Sequence, residues 1–171
     1  AEGIPYMLMG GLSVRFWALP RPTYDLDVTI SADESRLGTL LLRLEEDGFL
    51  VPPEVKKGWT DVLAGMKKVS VRKFIDRDSW RVDIFLVTTE YQRAAFSRRR
   101  RVKLLGKDVW SISPEDLILH KLIAGRERDL ADVAEILAVT RDLDLAYLRR
   151  WAQVLGIASI LDDRLARAGL T

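Results

Sequence analysis

Met7-Leu8-Met9-Gly10-Gly11-Leu12-Ser13 and, shortly after it, Asp25-Leu26-Asp27-Val28-Thr29-Ile30 decide how this chain is read. The first stretch is an apolar run that ends in two glycines. The second alternates in part and is rich in β-branched residues, the pattern of a strand. Residues i and i+2 of a strand point to one face, so Asp25 and Asp27 present two carboxylates side by side. Two like charges that close are costly unless a cation sits between them. Oxygen ligands alone, in a chain with no Cys and one His, favour a hard ion such as Mg²⁺.

A third carboxylate is available in Trp80-Arg81-Val82-Asp83-Ile84-Phe85-Leu86-Val87. This is an apolar strand broken by one acid, and an Asp in an otherwise buried strand should be paired or ligating. If its strand lies beside that of Asp25 and Asp27, three acids converge. Such a cluster can hold two metal ions that activate an attacking oxygen and stabilise a leaving phosphate. Gly10-Gly11 lets backbone N–H groups approach a phosphate closely, and the helix that follows adds its N-terminal dipole.

Gly10-Gly11, then Arg21-Pro22-Thr23-Tyr24-Asp25-Leu26-Asp27, then Asp83 resemble the polymerase-β-type nucleotidyltransferase superfamily. Within it the chain is most similar to the minimal branch that includes the AbiEii-type toxin nucleotidyltransferases. Pro114–Leu122 and Arg128–Val133 resemble a further block of that branch, and the likeness spans residues 4 to 138. It implies an α+β fold with a mixed sheet flanked by helices, and Mg²⁺-dependent transfer of a nucleoside monophosphate from an NTP to an acceptor hydroxyl. It implies Asp25, Asp27 and Asp83 as metal ligands and catalytic acids. Gly10 and Gly11 would cradle the triphosphate, Lys121 would neutralise its charge, and one of Asp129 and Asp132, Asp129 before Asp132, would orient Lys121 or the nucleophile. Arg21 either contacts a phosphate or pairs with an acid of the sheet. Many members carry Ser directly after the second Gly. This chain has Leu12 there and its nearest hydroxyl is Ser13, so either the backbone holds the phosphate with help from Ser13 or nucleotide binding is weakened. A toxin-like member implies tRNA as acceptor and a cognate antitoxin as partner. An antibiotic acceptor, a catalytically weak binding module and a metal-dependent nuclease are the alternatives.

The 171 residues suffice for one core and a small appended bundle. Charged residues are 30% and hydrophobic ones 48%, ordinary for a globular protein, and no apolar run is long enough to cross a bilayer. The lack of Cys excludes disulfides and fits a cytoplasmic protein. The N-terminus does not read as a signal peptide, and the abrupt start before the first strand reads as a leading helix left out or processed away. Net charge is only +2, so nucleic-acid affinity requires a local patch. Arg98-Arg99-Arg100-Arg101 is the one dense basic run. It reads as a solvated loop, or as a docking strip for RNA phosphates.

Along the chain, strands are expected at 4–9, 25–30, 69–75 and 81–87, with a short one at 49–51 and a hairpin of 101–105 with 107–112. Helices are expected at 12–19, after a capping stretch Ser31–Glu34 and closed by Gly48, and at 89–96. The stretch 56–65 has no period and reads as a loop or short helix. From Ser113 onward the period is helical, with four helices punctuated by Gly125 and Gly156. The division expected is an α/β core over 1–112 and a helical region over 113–171 packed on it. His120, the only His, reads as a core or solvated residue rather than a general base.

Overall fold

The structure is a computed structural model and describes residues 3–58, 60–63 and 65–170. It is the mixed α+β fold expected. Among the described residues the strands are β1 (Tyr6–Met9), β2 (Asp25–Ile30), β3 (Asp61–Leu63), β4 (Met66–Ile75), β5 (Asp78–Leu86), β6 (Arg100–Leu104) and β7 (Lys107–Ser111). The helices are α1 (Gly10–Trp17), α2 (Glu34–Glu46), α3 (Pro53–Lys56), α4 (Glu90–Ser97), α5 (Pro114–Ala124), α6 (Glu127–Val139), α7 (Leu145–Val154) and α8 (Ala158–Arg167). The strands form one sheet in the order β3-β4-β5-β2-β1-β7-β6. β2 runs parallel to β5 and antiparallel to β1.

The period-2 pattern of the central strands sorts side chains onto two faces. Met7, Met9 and Phe85 face a core built with α4 to α8, whose centre includes Leu117, Ile118, Val133, Ile136 and Leu148. Ile30, Val69, Val71 and Ile84 face the other way, against Leu37 and Leu41 of α2 and against Val55. The acids of β2 and β5 therefore stand on the side that meets the C-terminal helices.

Local chemistry sets the ends of the elements. The Asp33 side chain accepts from the Arg36 backbone N–H at the start of α2, and Thr89 with Gln92 closes a capping box on α4. Ser113 caps α5 with Pro114 in its first turn, and Gly125 ends it in the left-handed region at φ 65°.

Several boundaries differ from the sequence expectation. α1 begins at Gly10 rather than Leu12, because Gly10 takes φ 65° and turns the chain directly from strand into helix. The 56–65 stretch contributes β3, a three-residue strand too short to show a period; Trp59 and Ala64 of that stretch lie outside the described residues. Phe49–Val51 supplies one bridge, Leu50 to Arg72, instead of a strand. The β4–β5 turn is tighter than the gap between the strands expected at 69–75 and 81–87: Asp76 and Arg77 alone make it, with Asp76 at φ 55°, and Asp78 already pairs with Ile75.

Candidate active site

The parallel pairing of β2 with β5 places Asp27 directly opposite Asp83, and Asp25 opposite Arg81. Partners at the same level of a parallel pair point to the same face, so all three carboxylates share one surface. They do not share one environment. Asp83 is 3% exposed. Its Oδ1 accepts from Ser70 Oγ at 2.6 Å and lies 3.6 Å from Arg81 Nε, and its Oδ2 accepts from Lys68 Nζ at 3.0 Å. Asp25 is half-exposed and pairs with Arg81 Nη2 at 2.7 Å. Asp27 lies between them and, among the described residues, has no cation of its own. Burial first, then the charges of Asp83 and Asp25, push its carboxyl up to about 6, against the weaker pull of Lys121 and Arg81.

The two glycines are demanded by the chain itself. A Cβ on Gly10 would lie 1.8 Å from Asp27 Oδ2, so the carboxylate occupies the space a side chain would need. A Cβ on Gly11 would meet Thr23 Oγ1 at 2.7 Å. Gly10 thus joins the first turn of α1 to the acids of β2. Ser13 is fully buried, and its hydroxyl accepts from Ser111 Oγ at 3.0 Å across to β7. It faces the interior, and the turn offers backbone rather than a side-chain hydroxyl.

Across from the acids, α5 and α6 carry a chain of charges. Lys121 Nζ lies 2.7 Å from both Asp129 Oδ1 and Asp132 Oδ2. Arg126 Nε donates to Asp129 at 2.6 Å, and Arg21 holds Asp132 through Nε at 2.7 Å and Nη2 at 2.6 Å. Burial alone would raise both acids. Hydrogen bonds from Arg126 and Lys121 to Asp129, and from Arg21 and Lys121 to Asp132, with the accompanying charges, hold them below the usual carboxylate range. Arg21 therefore pairs with an acid of a helix, the alternative to phosphate contact, although the partner is not in the sheet. Asp129 and Asp132 share Lys121, where the resemblance singled out Asp129.

Met9, Gly10, Asp27, Lys121, Arg126 and Asp129 meet around a cavity of about 220 Å³. This brings the acid pair, the glycine turn and the lysine network to one place. His120 stands on its wall, and neither ring nitrogen is hydrogen-bonded to any of the described residues. Complete burial lowers its pKa to about 4, so the ring is neutral at ordinary pH.

Sequence reasoning offered Arg81 as a partner of Asp83, but missed Lys68 and Ser70 beside that acid and the pairing of Arg81 with Asp25. Lys68 and Ser70 occupy alternate positions of β4, and only the exact length of the Asp76–Arg77 turn tells that Ser70 lies opposite Asp83. The basic run is partly absorbed by packing. Arg98 stacks over Tyr147 at 3.9 Å and lies 3.4 Å from Glu115. Arg99 stacks over Phe96 and Trp110, while Arg100 and Arg101 are exposed.

Among the described residues, no group of three or more acidic or imidazole side chains is arranged as a ready-made metal cage. Asp83 directs its two oxygens to Lys68 and Ser70. The donor chemistry nonetheless fits a hard cation at Asp27 and Asp25. Both offer oxygen only, and the raised Asp27 carboxyl marks a place short of positive charge.

Known proteins share this architecture. The Thermotoga maritima nucleotidyltransferase TM1012 superposes with a TM-score of 0.51 at 16% identity, over 89% of this chain and 84% of that one. The lincosamide antibiotic adenylyltransferase LnuA, with lincomycin bound, gives 0.52 at 15% identity over 80% and 88%. The antibiotic-resistance factor ANT(2'')-Ia gives 0.53 at 14% identity over 96% and 85%. At such identities the likeness is one of fold. No curated protein sequence matches the chain. No helix among the described residues is long and apolar enough to cross a membrane. The sequence profile of one family, described as nucleotidyltransferase of unknown function (DUF6036), matches residues 2–168, and over that span, nearly its whole length, the chain belongs to this nucleotidyltransferase family.

Proposed function

We propose that the chain transfers a nucleoside monophosphate from an NTP to an acceptor hydroxyl, with Asp25 and Asp27 as ligands of Mg²⁺ and Asp83 as the base. The observation that carries this reading is the level pairing of Asp27 with Asp83 beside the Gly10 turn. The triphosphate lies along the Gly10–Gly11 backbone at the start of α1, on the cavity side of Lys121 and Arg126. Two of the three Lys121 donors are engaged by Asp129 and Asp132, so the ammonium is held in place with one donor left for a phosphate oxygen. Mg²⁺ bound at Asp25 and Asp27 would neutralise triphosphate charge and polarise the α-phosphoryl group. Asp83, held in place by Lys68 and Ser70, takes the acceptor's proton as the acceptor oxygen attacks the α-phosphorus. The bond from that phosphorus to the bridging oxygen breaks, and pyrophosphate leaves. Positioning and fixed charge supply most of the rate in such a scheme.

Incubation with α-labelled NTPs and Mg²⁺ tests it, with total RNA, the protein itself, and lincosamide or aminoglycoside antibiotics as acceptors. Label on one class supports the reading and names the acceptor. Label on tRNA would favour a toxin-like role with an antitoxin partner. Label on no class, with no pyrophosphate formed, would count against transfer. One observation favours a second reading, a nucleotide-binding module without turnover: the Ser13 hydroxyl is spent on Ser111, and the phosphate cradle is left to backbone alone. Tight binding of Mg²⁺–NTP without pyrophosphate release would support that one.

A further inference from the structure

Asp83 has its own buried cation. Lys68 sits on β4 diagonally from it on the same sheet face, 9% exposed, with Nζ 3.0 Å from Oδ2. Ser70 and Arg81 take the other oxygen. Both oxygens of the acid are thus committed to groups of the chain. Across the strand pair, Asp27 is the member without such a partner. Lys68 and Arg81 between them offset two of the three carboxylate charges on this face. A single divalent cation at Asp25 and Asp27 then more than balances what remains. A second ion at Asp83 would have to displace a buried ammonium and stand beside it, and both steps are costly in a low-dielectric site.

We propose that Lys68 is a positioning residue that takes the place of a second divalent cation at Asp83, so that the site holds one ion per chain. The lysine supplies fixed positive charge to the base, and no metal exchange at Asp83 is needed in the catalytic cycle. This rests on the nucleotidyl-transfer reading above, and goes beyond it in the number of ions and in the role of Lys68.

Mn²⁺ titration followed by electron paramagnetic resonance, with a non-hydrolysable NTP analogue present, tests it without reliance on turnover. The full chain should bind one Mn²⁺ with an uncoupled spectrum. Lys68→Ala frees Asp83 and should bind two, with spin–spin coupling expected of ions about 4 Å apart. Lys68→Arg keeps the charge and should bind one. Two coupled ions in the unaltered protein would overturn this inference and leave metal-dependent transfer standing. No bound Mn²⁺ in the unaltered protein would overturn both. A Lys68→Ala protein that retains its fold by circular dichroism and still binds one ion would overturn the inference alone. If that variant does not fold, the unaltered protein and Lys68→Arg still decide, by one ion or two.

Discussion

The carboxylate of Asp27 rests against the α-carbon of Gly10, so closely that a methyl group there would come within 1.8 Å of Oδ2. Gly10 also holds φ 65°, where an L side chain costs about 1–2 kcal/mol. Gly10→Ala should therefore lower stability by at least that amount and displace Asp27 as well. Transfer activity should fall by about 100-fold or more, the scale of a misplaced catalytic group. Gly11→Ala meets Thr23 Oγ1 at 2.7 Å, Thr23 Cβ at 3.2 Å and Arg21 Nη1 at 3.4 Å; these approaches are looser than the one at Gly10, so the effect should be milder. Steady-state rates and thermal melts of the two variants check the order; equal activity in Gly10→Ala and the parent would separate the glycine from the site.

Asp27 makes a pH prediction. Its carboxyl is raised to about 6 in the folded protein, above the value near 4 of an unfolded chain. Between those values the native state binds more protons than the unfolded state. Its contribution is therefore favourable at low pH and is lost as the pH rises through about 6. Asp27→Asn should be more stable than the metal-free parent at pH 7.5, by about 3 kcal/mol at most, and the gap should close near pH 4. Mg²⁺ should raise the melting temperature of the parent at pH 7.5 and leave Asp27→Asn unchanged. Melting curves of both proteins from pH 4 to 8, with and without Mg²⁺, measure this.

Strand alternation made Asp25 and Asp27 legible as neighbours, and the Gly10 turn was legible as a close approach, although its occupant is a carboxylate of the chain itself. Asp83 was legible as an acid in an apolar strand with Arg81 as a neighbour, but its partners Lys68 and Ser70 were not. They depend on β4 register, which a two-residue turn fixes and a four-residue turn would shift. The short β3 carries too few residues for a period. The Arg21–Asp132 clamp joins positions far apart in the chain, and only tertiary packing brings them together. Arg98 read as part of a solvated charge run because its apolar partner, Tyr147, comes from a distant helix.

The Lys121 network gives opposite pH behaviour. Asp129 and Asp132 are held below the usual carboxylate range, so their stabilisation is present above about pH 4 and is lost as the pH falls through their lowered values. Lys121→Met leaves two buried acids with one arginine each. It should cost about 3–5 kcal/mol at pH 7, and the loss should shrink as the pH is brought below about 4. Denaturant titrations at a series of pH values would reveal it; a pH-independent loss would show that the lysine acts by packing alone.

Arg98 and Arg101 should separate stability from nucleic-acid contact. Arg98→Ala removes the stack on Tyr147 and the cation beside buried Glu115, and should destabilise by about 2–4 kcal/mol. Arg101 is exposed, pairs with surface Asp108 and lies 5.8 Å from the centre of the Trp110 ring, so Arg101→Ala should leave the melting temperature within about 1 °C, as exposed pairs do. If RNA docks on this run, Arg101→Ala weakens binding and lowers its salt dependence. Thermal melts and RNA titrations at two salt concentrations assign each arginine.

Pyrophosphate release from γ-labelled NTP tests the acid centre most directly, since it needs no knowledge of which acceptor is used beyond its presence in a cell extract. The parent with Mg²⁺ should release labelled pyrophosphate, and Asp27→Asn and Asp83→Asn should lose the reaction by about 1,000-fold or more while remaining folded. Release of labelled orthophosphate instead, or undiminished pyrophosphate from both variants, would contradict the assignment of this carboxylate pair.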